Sequence, residues 1–475
     1  MINYTMIAPI KMNGIIPMRY ILLTAFVIRL FVPLLAAFHT QDHRVFHLPD
    51  TASYVRSATE LIYSGQFARN GIPDIVRTPG YPLLLVPGIL LGNTELVTIT
   101  LQIILSCLTV YLVFRIALLL FERVKIATLC ALLYAIEPLS ILYASKVLTE
   151  TLFTYVVVLF LYLLLQYMKK GSLAQLLIAA VALSASVYVR PISFFLPILI
   201  AVILILWILI KRQNKSKLLF HTCLFFTVTI SLTALWQMRN MVEAGYSGFS
   251  AVADKNLYFY QAASVLAVRQ GIPFYEMQKQ MGYQNTGVYF ANHPDQRNWS
   301  QSKRYRYMRK EGVKILLQYP STYLTIHLKG MLWTLLGPGA TEYLRLFKLY
   351  PDCGGLLGLM VDKGLLTTVI FLLKNNPLMF WTNLFLSLVL MLYFLFGVIA
   401  LLSRNLINNI SIITLLSVGA YFFAISGGPH SYGRFRHPIM PIICILAGYG
   451  LSEAISRFRK VSASHKHHTF DNISL

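Results

Sequence analysis

HLPDTASYVRSATELIYSGQF (residues 47–67) and VRTPGYPLLLVPG (residues 76–88) lie in a polar stretch, His39 to Pro82, that follows the first membrane-length apolar run. Asp50 precedes a helical pattern in which Tyr54 and Ala58 recur on one face, and Gly65 ends that pattern. Farther on, prolines in the segment RTPGYP fix φ and predict a rigid turn back into apolar sequence. We expect an amphipathic helix along a membrane surface, followed by this turn.

The composition of the whole chain predicts an all-α polytopic membrane protein. Its 475 residues are 57% hydrophobic and only 12% charged, and the mean hydropathy is +0.63. Soluble domains carry about 25% charged residues. Apolar runs of the length that spans a bilayer recur from Met18–Phe38 to the last run, Ile439–Ile455. They predict about 10–12 transmembrane helices, the upper figure applying if 321–376 crosses as a hairpin.

The basic residues predict the orientation of these helices. The formal net charge is +23, but much of it lies beside the apolar runs, where Lys and Arg set topology and contact anionic headgroups. We therefore expect membrane lipid, and no nucleic acid, as a partner of these charges. The basic turns predict that both termini are cytoplasmic and that the loop after the first span is external.

The cysteines predict neither a disulfide framework nor a zinc site. There are five, Cys107, Cys130, Cys223, Cys353 and Cys444, and none forms a C-x-x-C pair. Nucleotide-binding and zinc-protease motifs are likewise missing from the sequence. The weakly patterned residues 1–17 do not resemble a cleavable signal, so we expect Met18–Phe38 to be retained as a helix.

The pattern divides the chain into five segments. They are a cytoplasmic N-terminal segment (1–17), a transmembrane core with an external loop at 39–94 (18–236), an external region with interfacial or hairpin helices (237–376), C-terminal transmembrane helices (377–456) and a basic cytoplasmic tail (457–475). Within the core, Ile126–Ala144 is predicted to be one continuous span. No inverted repeat is visible, which argues against a transporter.

This topology gathers a distinct set of polar residues at the external face. Carboxylates, arginines and aromatic residues together suit a phosphate-bearing lipid, because the guanidinium fork grips phosphate oxygens at two points. A carboxylate beside such a group could accept a proton from a hydroxyl. The candidates are Asp50 and Glu150 for catalysis, Arg77, Arg239, Arg434 and Arg436 for phosphate binding, and Tyr54, Tyr81, Arg190, His430 and Tyr432 for substrate binding.

Each candidate also has a structural interpretation. Asp50 could cap its helix, and Glu150 could pair with Lys146. Arg77 could face solvent or headgroups, Arg190 before Pro191 could end a span, and the two tyrosines could belong to the aromatic belt. Arg29, in the middle of the first span, could be paired within the bundle, although intramembrane charge raises a suspicion of function.

Six motifs in order resemble the dolichyl-phosphate-mannose protein mannosyltransferase superfamily, glycosyltransferase family 39, and most closely its bacterial aminoarabinose-transferase-like branch. The motifs are LPDTASYVRSATELIYSG (48–65), RTPGYPLLL (77–85), EPLSILYASKVLTETLF (137–153), VRPISFFLP (189–197), WQMRNMVEAG (236–245) and GRFRHPIMPIICILAGYG (433–450). The resemblance covers roughly residues 18–245 and 420–455. Two departures stand out: Thr51 follows Asp50 where many members have an acidic pair, and Val76-Arg77-Thr78-Pro79 replaces the branch's Glu-Lys-Pro.

The resemblance implies a GT-C fold and a function. It implies inverting transfer of a sugar from a polyprenyl-phosphate donor to an envelope glycan, lipid or protein acceptor at the outer face of a bacterial inner membrane. Asp50 matches the family's first-loop aspartate, Arg77 the basic position near the donor phosphate, and Glu150 the acidic position of the second external loop. Arg434 and Arg436 match the late basic cluster.

Other classes of function remain open from the sequence. A flippase or transporter of lipid-linked saccharides would need charged residues along a path through the membrane, and an O-antigen polymerase or ligase would use a diphosphate-linked donor. No cofactor is indicated by the spacing, although carboxylates near phosphate could hold a divalent ion.

Overall fold

The structure is a computed structural model that describes residues 16–211, 213–351, 364–403, 406 and 409–471. Cys353 and part of the segment 321–376 lie outside these residues, as do most of segment 1–17 and the end of the tail. The described residues are almost entirely helical. The sole sheet among them has two short strands, β1 (Ala68–Arg69) and β2 (Ile72–Pro73).

The helices of the N-terminal half follow the predicted apolar runs closely. They are α1 (Met18–Thr40), α2 (Thr51–Ser64), α3 (Gly80–Leu90), α4 (Thr94–Phe121), α5 (Val124–Ala135), α6 (Pro138–Ala144), α7 (Glu150–Lys170), α8 (Leu173–Val189), α9 (Leu196–Ile210) and α10 (Lys215–Ala244). The predicted amphipathic helix is thus α2, and Gly65 ends it with a left-handed φ of 70°.

The C-terminal half begins with short helices and ends with long ones. They are α11 (Val252–Asn256), α12 (Ala263–Gln270), α13 (Phe274–Gln280), α14 (Thr286–Asn292), α15 (Gln301–Gln318), α16 (Pro320–Leu336), α17 (Ala340–Leu346), α18 (Leu365–Asn375), α19 (Pro377–Leu401), α20 (Ile410–Ile425) and α21 (Met440–Asp471). A π-helical segment, Leu257–Ala262, joins α11 to α12, and a 3₁₀ segment, Gly433–Ile439, precedes α21.

The protein is a multi-pass integral membrane protein with fewer full-length spans than predicted. Among the described residues, seven helices are long and apolar enough to cross a membrane, or eight if one bent pair is counted as a span. The apolar helices α8 and α20 have only 17 and 16 residues, which is less than the roughly 20 needed to cross perpendicular to a bilayer. This shortness accounts for most of the difference from the expected 10–12.

The predicted span Ile126–Ala144 is not one straight helix, because α5 and α6 meet at a bend of 53°. Pro138 cannot continue the helix of α5, and Glu137 instead caps α6 by accepting from the backbone N–H of Leu139 (3.0 Å) and Ser140 (2.6 Å). The opposite end of the break is closed by Arg29, which donates to the carbonyls of Ala135 (2.6 Å) and Tyr134 (3.2 Å).

Arg29 is therefore paired within the bundle. Its guanidinium is buried and also donates to Ser106 Oγ (2.7 Å) and Ser140 Oγ (2.8 Å). Where a helix breaks inside a membrane, water cannot satisfy the freed carbonyls, so a side chain must do so. Arg29 meets that requirement and holds the α5–α6 elbow against α1 and α4.

The region between α10 and α16 packs into a helical layer of its own. Its core is aromatic, with Tyr258, Phe259 and Tyr289 buried together. Arg309 of α15 is paired with Asp254 of α11, its Nε lying 2.6 Å from Oδ1 and its Nη2 3.1 Å from Oδ2. The layer therefore fixes the π-helical segment, a type of element often found near functional sites.

Candidate active site

The loop after α2 is folded so that it presents Arg77. Asn70 and Gly71 adopt left-handed φ values of 58° and 71°, as an Asn-Gly hairpin turn between β1 and β2 requires. After the hairpin, Asp74 Oδ1 accepts from the backbone N–H of Val76 (2.9 Å) and Arg77 (3.0 Å), and its Oδ2 accepts from Ser57 Oγ of α2 (2.8 Å). Asp74 is buried and so fixes the backbone at Arg77 against α2.

The guanidinium of Arg77 reaches the first turn of α2 at three points. It donates to Ser53 Oγ (2.9 Å), to Tyr54 OH (3.1 Å) and to Asp50 Oδ1 (2.7 Å). It also lies over the Tyr54 ring, 4.4 Å from the centroid. Arg77 therefore faces Asp50 in a fixed orientation. Its guanidinium is hydrogen-bonded within the site and does not face open solvent or headgroups.

Arg434 lies between the two predicted catalytic carboxylates. It comes from the 3₁₀ segment before α21, and its Nη1 and Nη2 both lie 3.3 Å from Asp50 Oδ2. Its Nε donates to Glu150 Oε1, in a short contact at the first residue of α7. One arginine thus joins the start of α2 to the start of α7.

Glu150 is enclosed, whereas Asp50 is accessible. Arg190, the C-cap of α8, donates from Nη1 to Glu150 Oε1 at 3.0 Å. The Glu150 side chain has 0% of its surface exposed, whereas that of Asp50 has 37% exposed. A substrate can therefore approach Asp50, while Glu150 is positioned to orient Arg190 and Arg434. Glu150 is therefore paired with these two arginines and not with Lys146, the partner suggested by the sequence.

Asp50 does not cap its helix. It occupies the N-cap position of α2, but its side chain accepts no capping hydrogen bond, because both oxygens are directed at arginines. Burial disfavours the charged carboxylate, but Arg434 and Arg77 outweigh it and lower the pKa of Asp50 to about 2. Asp50 is therefore ionised at neutral pH.

The tyrosines line the cluster in two layers. Tyr54 is buried against Arg77, and burial raises the pKa of its hydroxyl. Tyr432 OH accepts from Arg434 Nη1 at 3.3 Å. Tyr81 lies behind Tyr54, with ring centroids 5.2 Å apart, and donates to Gln102 Oε1 at 2.9 Å. Tyr54 and Tyr81 are interior residues, so the aromatic-belt interpretation does not apply to them.

Three of the predicted site residues have other partners. Arg436 is buried and donates to the carbonyls of Thr334 (2.8 Å) and Leu335 (2.6 Å). Arg239 donates to the carbonyls of Asp74 (2.9 Å) and Phe67, so it secures the hairpin loop. His430 packs on the rings of Tyr260 (4.6 Å) and Phe274 (5.2 Å). Arg239 and Arg436 both donate to backbone carbonyls, a use that sequence position does not reveal.

The sequence interpretation missed Asp74 and Lys255. Asp74 lies three residues before Arg77, a spacing at which aspartate commonly binds backbone N–H groups, so it could have been found. Lys255 of α11 comes from the distant helical layer, and no local signal marks it. Burial, with Arg77 and Arg69 nearby, lowers the pKa of Lys255. No described carboxylate is ion-paired with it, and its Nζ lies 5.2 Å from the centroid of the Tyr283 ring.

The cluster carries more positive than negative charge. Arg77, Arg190 and Arg434 surround two carboxylates, those of Asp50 and Glu150. Such a surplus favours an anionic ligand. Within the described ranges, no group of three or more His, Cys, Asp or Glu side chains is arranged to hold a metal ion.

Comparison of the sequence with family models identifies one family. Residues 77–236 match the model described as dolichyl-phosphate-mannose-protein mannosyltransferase. The match agrees with the predicted resemblance over this segment, which is about a third of the chain. The mannosyltransferase-family match includes Arg77, Glu150 and Arg190, whereas Asp50 and Arg434 lie outside it. A search of curated proteins found no match.

Solved structures support the fold. The archaeal oligosaccharyltransferase AglB from Archaeoglobus fulgidus, in complex with an inhibitory peptide and a dolichol-phosphate, is 14% identical with a TM-score of 0.51; the match covers 95% of this chain and 52% of that one. Its apo form gives a TM-score of 0.50 at 13% identity, covering 94% and 52%. ArnT from Cupriavidus metallidurans bound to undecaprenyl phosphate is 15% identical over 92% of this chain and 78% of that chain, with a TM-score of 0.39.

These likenesses bear on fold alone. The chain spans about half the length of the archaeal enzyme. Together with the all-helical architecture, the match confirms the predicted GT-C fold and leaves substrates to be argued from the site.

Proposed function

We propose that the protein is an inverting membrane glycosyltransferase that transfers a sugar from a polyprenyl-phosphate donor to an acceptor hydroxyl. The observation that carries this proposal is the accessible carboxylate of Asp50 held between two arginine forks, Arg77 at 2.7 Å and Arg434 at 3.3 Å. The reaction needs the donor phosphate and a proton acceptor within a few ångströms of the reacting carbon. In this cluster the two arginine forks can bind the phosphate, and Asp50 can accept the proton.

Binding of the donor would change the environment of Asp50. A phosphate competes with the carboxylate for the forks of Arg77 and Arg434, because guanidinium groups bind both anions in the same bidentate geometry. With those hydrogen bonds shared, the pKa of Asp50 rises from about 2 and the carboxylate becomes a better base. The site thereby favours donor binding before activation of the acceptor.

The chemical step follows from this arrangement. The acceptor hydroxyl gives its proton to Asp50 while its oxygen forms a bond to the anomeric carbon. The bond from that carbon to the phosphate oxygen breaks, and the polyprenyl phosphate leaves with the electron pair. Arg77 and Arg434 stabilise the charge that develops on the leaving phosphate. Glu150 holds Arg434 in place and is itself paired with Arg190.

The sequence features that argued against a flippase still apply. Arg29 is one of few charged residues within the spans, and its donors are already used by backbone carbonyls and serine hydroxyls. It therefore offers little to a saccharide moving through the membrane.

The orientation is proposed from the charge pattern, and the bacterial inner membrane from the family resemblance. Both termini would be cytoplasmic, and the Asp50 site would lie at the outer face of a bacterial inner membrane. The chain would be divided into the five segments predicted from the sequence. An envelope glycan, lipid or protein would be the acceptor there.

The test uses the purified full chain in lipid nanodiscs with a panel of polyprenyl-phosphate sugars and candidate acceptors. Release of free polyprenyl phosphate is measured for the wild type, for Asp50→Asn and for Asp42→Asn. Asp42 is a matched control, since it lies in the same loop and is ion-paired, through Oδ2, with Lys348 Nζ at 2.7 Å. We expect Asp50→Asn to lower the rate by about 10²–10⁴-fold and Asp42→Asn to leave it nearly unchanged.

A wild-type rate in Asp50→Asn would contradict the role of Asp50. Movement of labelled lipid-sugar across the bilayer without its consumption would replace the transferase with a flippase. Turnover only of diphosphate-linked oligosaccharides would indicate a polymerase or ligase instead.

A further inference from the structure

The outer face of α15 is strongly basic. The helix contains six Lys and Arg residues and a single acidic residue, Glu311. At 100° per residue, Lys303, Arg306, Lys310 and Lys314 fall within one sector of the helix surface, and all four are exposed. Among the described residues, Arg306 and Lys310 have no carboxylate partner, and Lys314 has only a surface contact with Glu311 at 3.4 Å.

This basic face is held rigidly. On the opposite side of α15, Met308, Gly312 and Ile315 are buried in the helical layer. On its flank, Arg309 is paired with Asp254 and donates to Tyr246 OH (3.1 Å). The cost of ordering α15 has therefore been met before any partner binds, which favours affinity. A basic face needed only for solubility would not require such an anchor.

Apolar residues lie beside the basic ones and continue into the next helix. Val313 and Leu317 fall in the same sector and are 40% and 74% exposed. Beyond Pro320, α16 exposes a row of leucines with i, i+4 spacing: Leu324, Leu328, Leu332 and Leu336, between 42% and 56% exposed. Basic residues followed by exposed apolar ones are the pattern of a helix at a bilayer surface, where charges meet headgroups and leucines enter the acyl region.

We propose that this face of α15 (Lys303, Arg306, Lys310 and Lys314) binds the headgroups of anionic phospholipids, with α16 entering the adjoining lipid. Charge complementarity and the adjacent leucine row favour a lipid over a soluble polyanion, since a soluble partner would leave the leucines in water. The proposal does not depend on the transferase activity. It implies that anionic lipid steadies the layer carrying Lys255.

The test counts lipids bound to the detergent-solubilised full chain. The protein is titrated with short-chain phosphatidylglycerol or phosphatidylcholine, and bound molecules are counted by native mass spectrometry. The variant Arg306→Gln/Lys310→Gln is compared with Lys279→Gln/Arg297→Gln, which removes the same charge from exposed positions of the same layer outside the basic face. Thermal unfolding without added lipid checks that each variant folds.

We expect the wild type to prefer phosphatidylglycerol. Arg306→Gln/Lys310→Gln should weaken that binding by about tenfold, while the control pair should leave it unchanged. Equal losses in both pairs would show an effect of net charge alone and overturn the proposal. Unchanged phosphatidylglycerol binding in Arg306→Gln/Lys310→Gln would also overturn the proposal. Binding of heparin, a soluble polyanion, in place of the lipid would overturn it as well.

Discussion

At the scale of single residues, the ionisation of Asp50 links the site to stability. The pKa of Asp50 is lowered from 3.8 to about 2 in the folded protein, so the unfolded chain binds the proton more readily between these values. The stabilisation from its ion pairs is therefore fully present above about pH 4 and is lost as the pH falls through about 2.

This gives a prediction on pH dependence. We expect the free energy of unfolding of the wild type to exceed that of Asp50→Asn above pH 4, and the difference to shrink as the pH falls toward 2. Denaturant unfolding in detergent, measured at several pH values, checks it. A difference that stays constant down to pH 2 would mean that Asp50 is not held as an ion pair.

The geometry of the Arg77 fork gives a second prediction at this scale. Arg77→Lys keeps the charge, but one ammonium cannot reach Ser53, Tyr54 and Asp50 in the same orientation. We expect kcat/KM for the polyprenyl-phosphate donor to fall about 10- to 100-fold, because the bidentate grip on phosphate is lost. Arg69→Lys is the control, since Arg69 makes a looser contact of 3.6 Å with Asp74. Equal effects of both substitutions would show that charge alone matters.

At the scale of elements, the α5–α6 elbow depends on one arginine. Arg29→Met removes the 2.6 Å donor of the Ala135 carbonyl inside the membrane, and a buried unsatisfied group costs about 1–3 kcal/mol. The Tyr134 carbonyl keeps Glu137 N–H (3.3 Å) and Ser140 Oγ (3.4 Å) as donors. We predict a loss of about 1–3 kcal/mol in the free energy of unfolding. Arg29→Lys should recover part of it, because an ammonium can still donate to a carbonyl.

Arg115→Met provides the matched comparison for the elbow. Arg115 also lies in an apolar helix, α4, but it donates to Tyr111 OH of its own helix at 2.6 Å and lies over the Tyr162 ring at 5.4 Å. Its replacement should cost less than about 1 kcal/mol. Similar losses in both variants would mean that the elbow is held by packing and not by Arg29.

At the scale of the whole molecule, the proposed orientation can be tested by labelling. In a variant with its cysteines replaced, Ser64→Cys, at the end of α2, should react with a membrane-impermeant maleimide in intact spheroplasts. Lys170→Cys, at the end of α7, should react only after permeabilisation, because the basic turns are predicted to be cytoplasmic. The reverse pattern would invert the topology and place the Asp50 site inside the cell.

Much of the architecture follows from local patterns in the sequence. Apolar runs of membrane length predicted most of the long helices, and Asp50 and Gly65 predicted the bounds of α2 to within a residue. The polar residues at the helix ends likewise singled out Asp50, Arg77, Glu150, Arg190 and Arg434, which meet in one cluster. Hydropathy and capping depend on neighbours in the chain, so a sequence can reveal them.

Only the tertiary structure determined which partner each side chain takes. Arg434 joins Asp50 to Glu150 across 384 and 284 residues of chain, whereas Arg436, two positions away, points to the carbonyls of Thr334 and Leu335. Asp50 appeared equally suited to cap its helix until both of its oxygens were found directed at arginines. Length and hydropathy set where the helices lie, but long-range packing sets which charges meet, because each guanidinium goes to the acceptors that the fold leaves unsatisfied beside it.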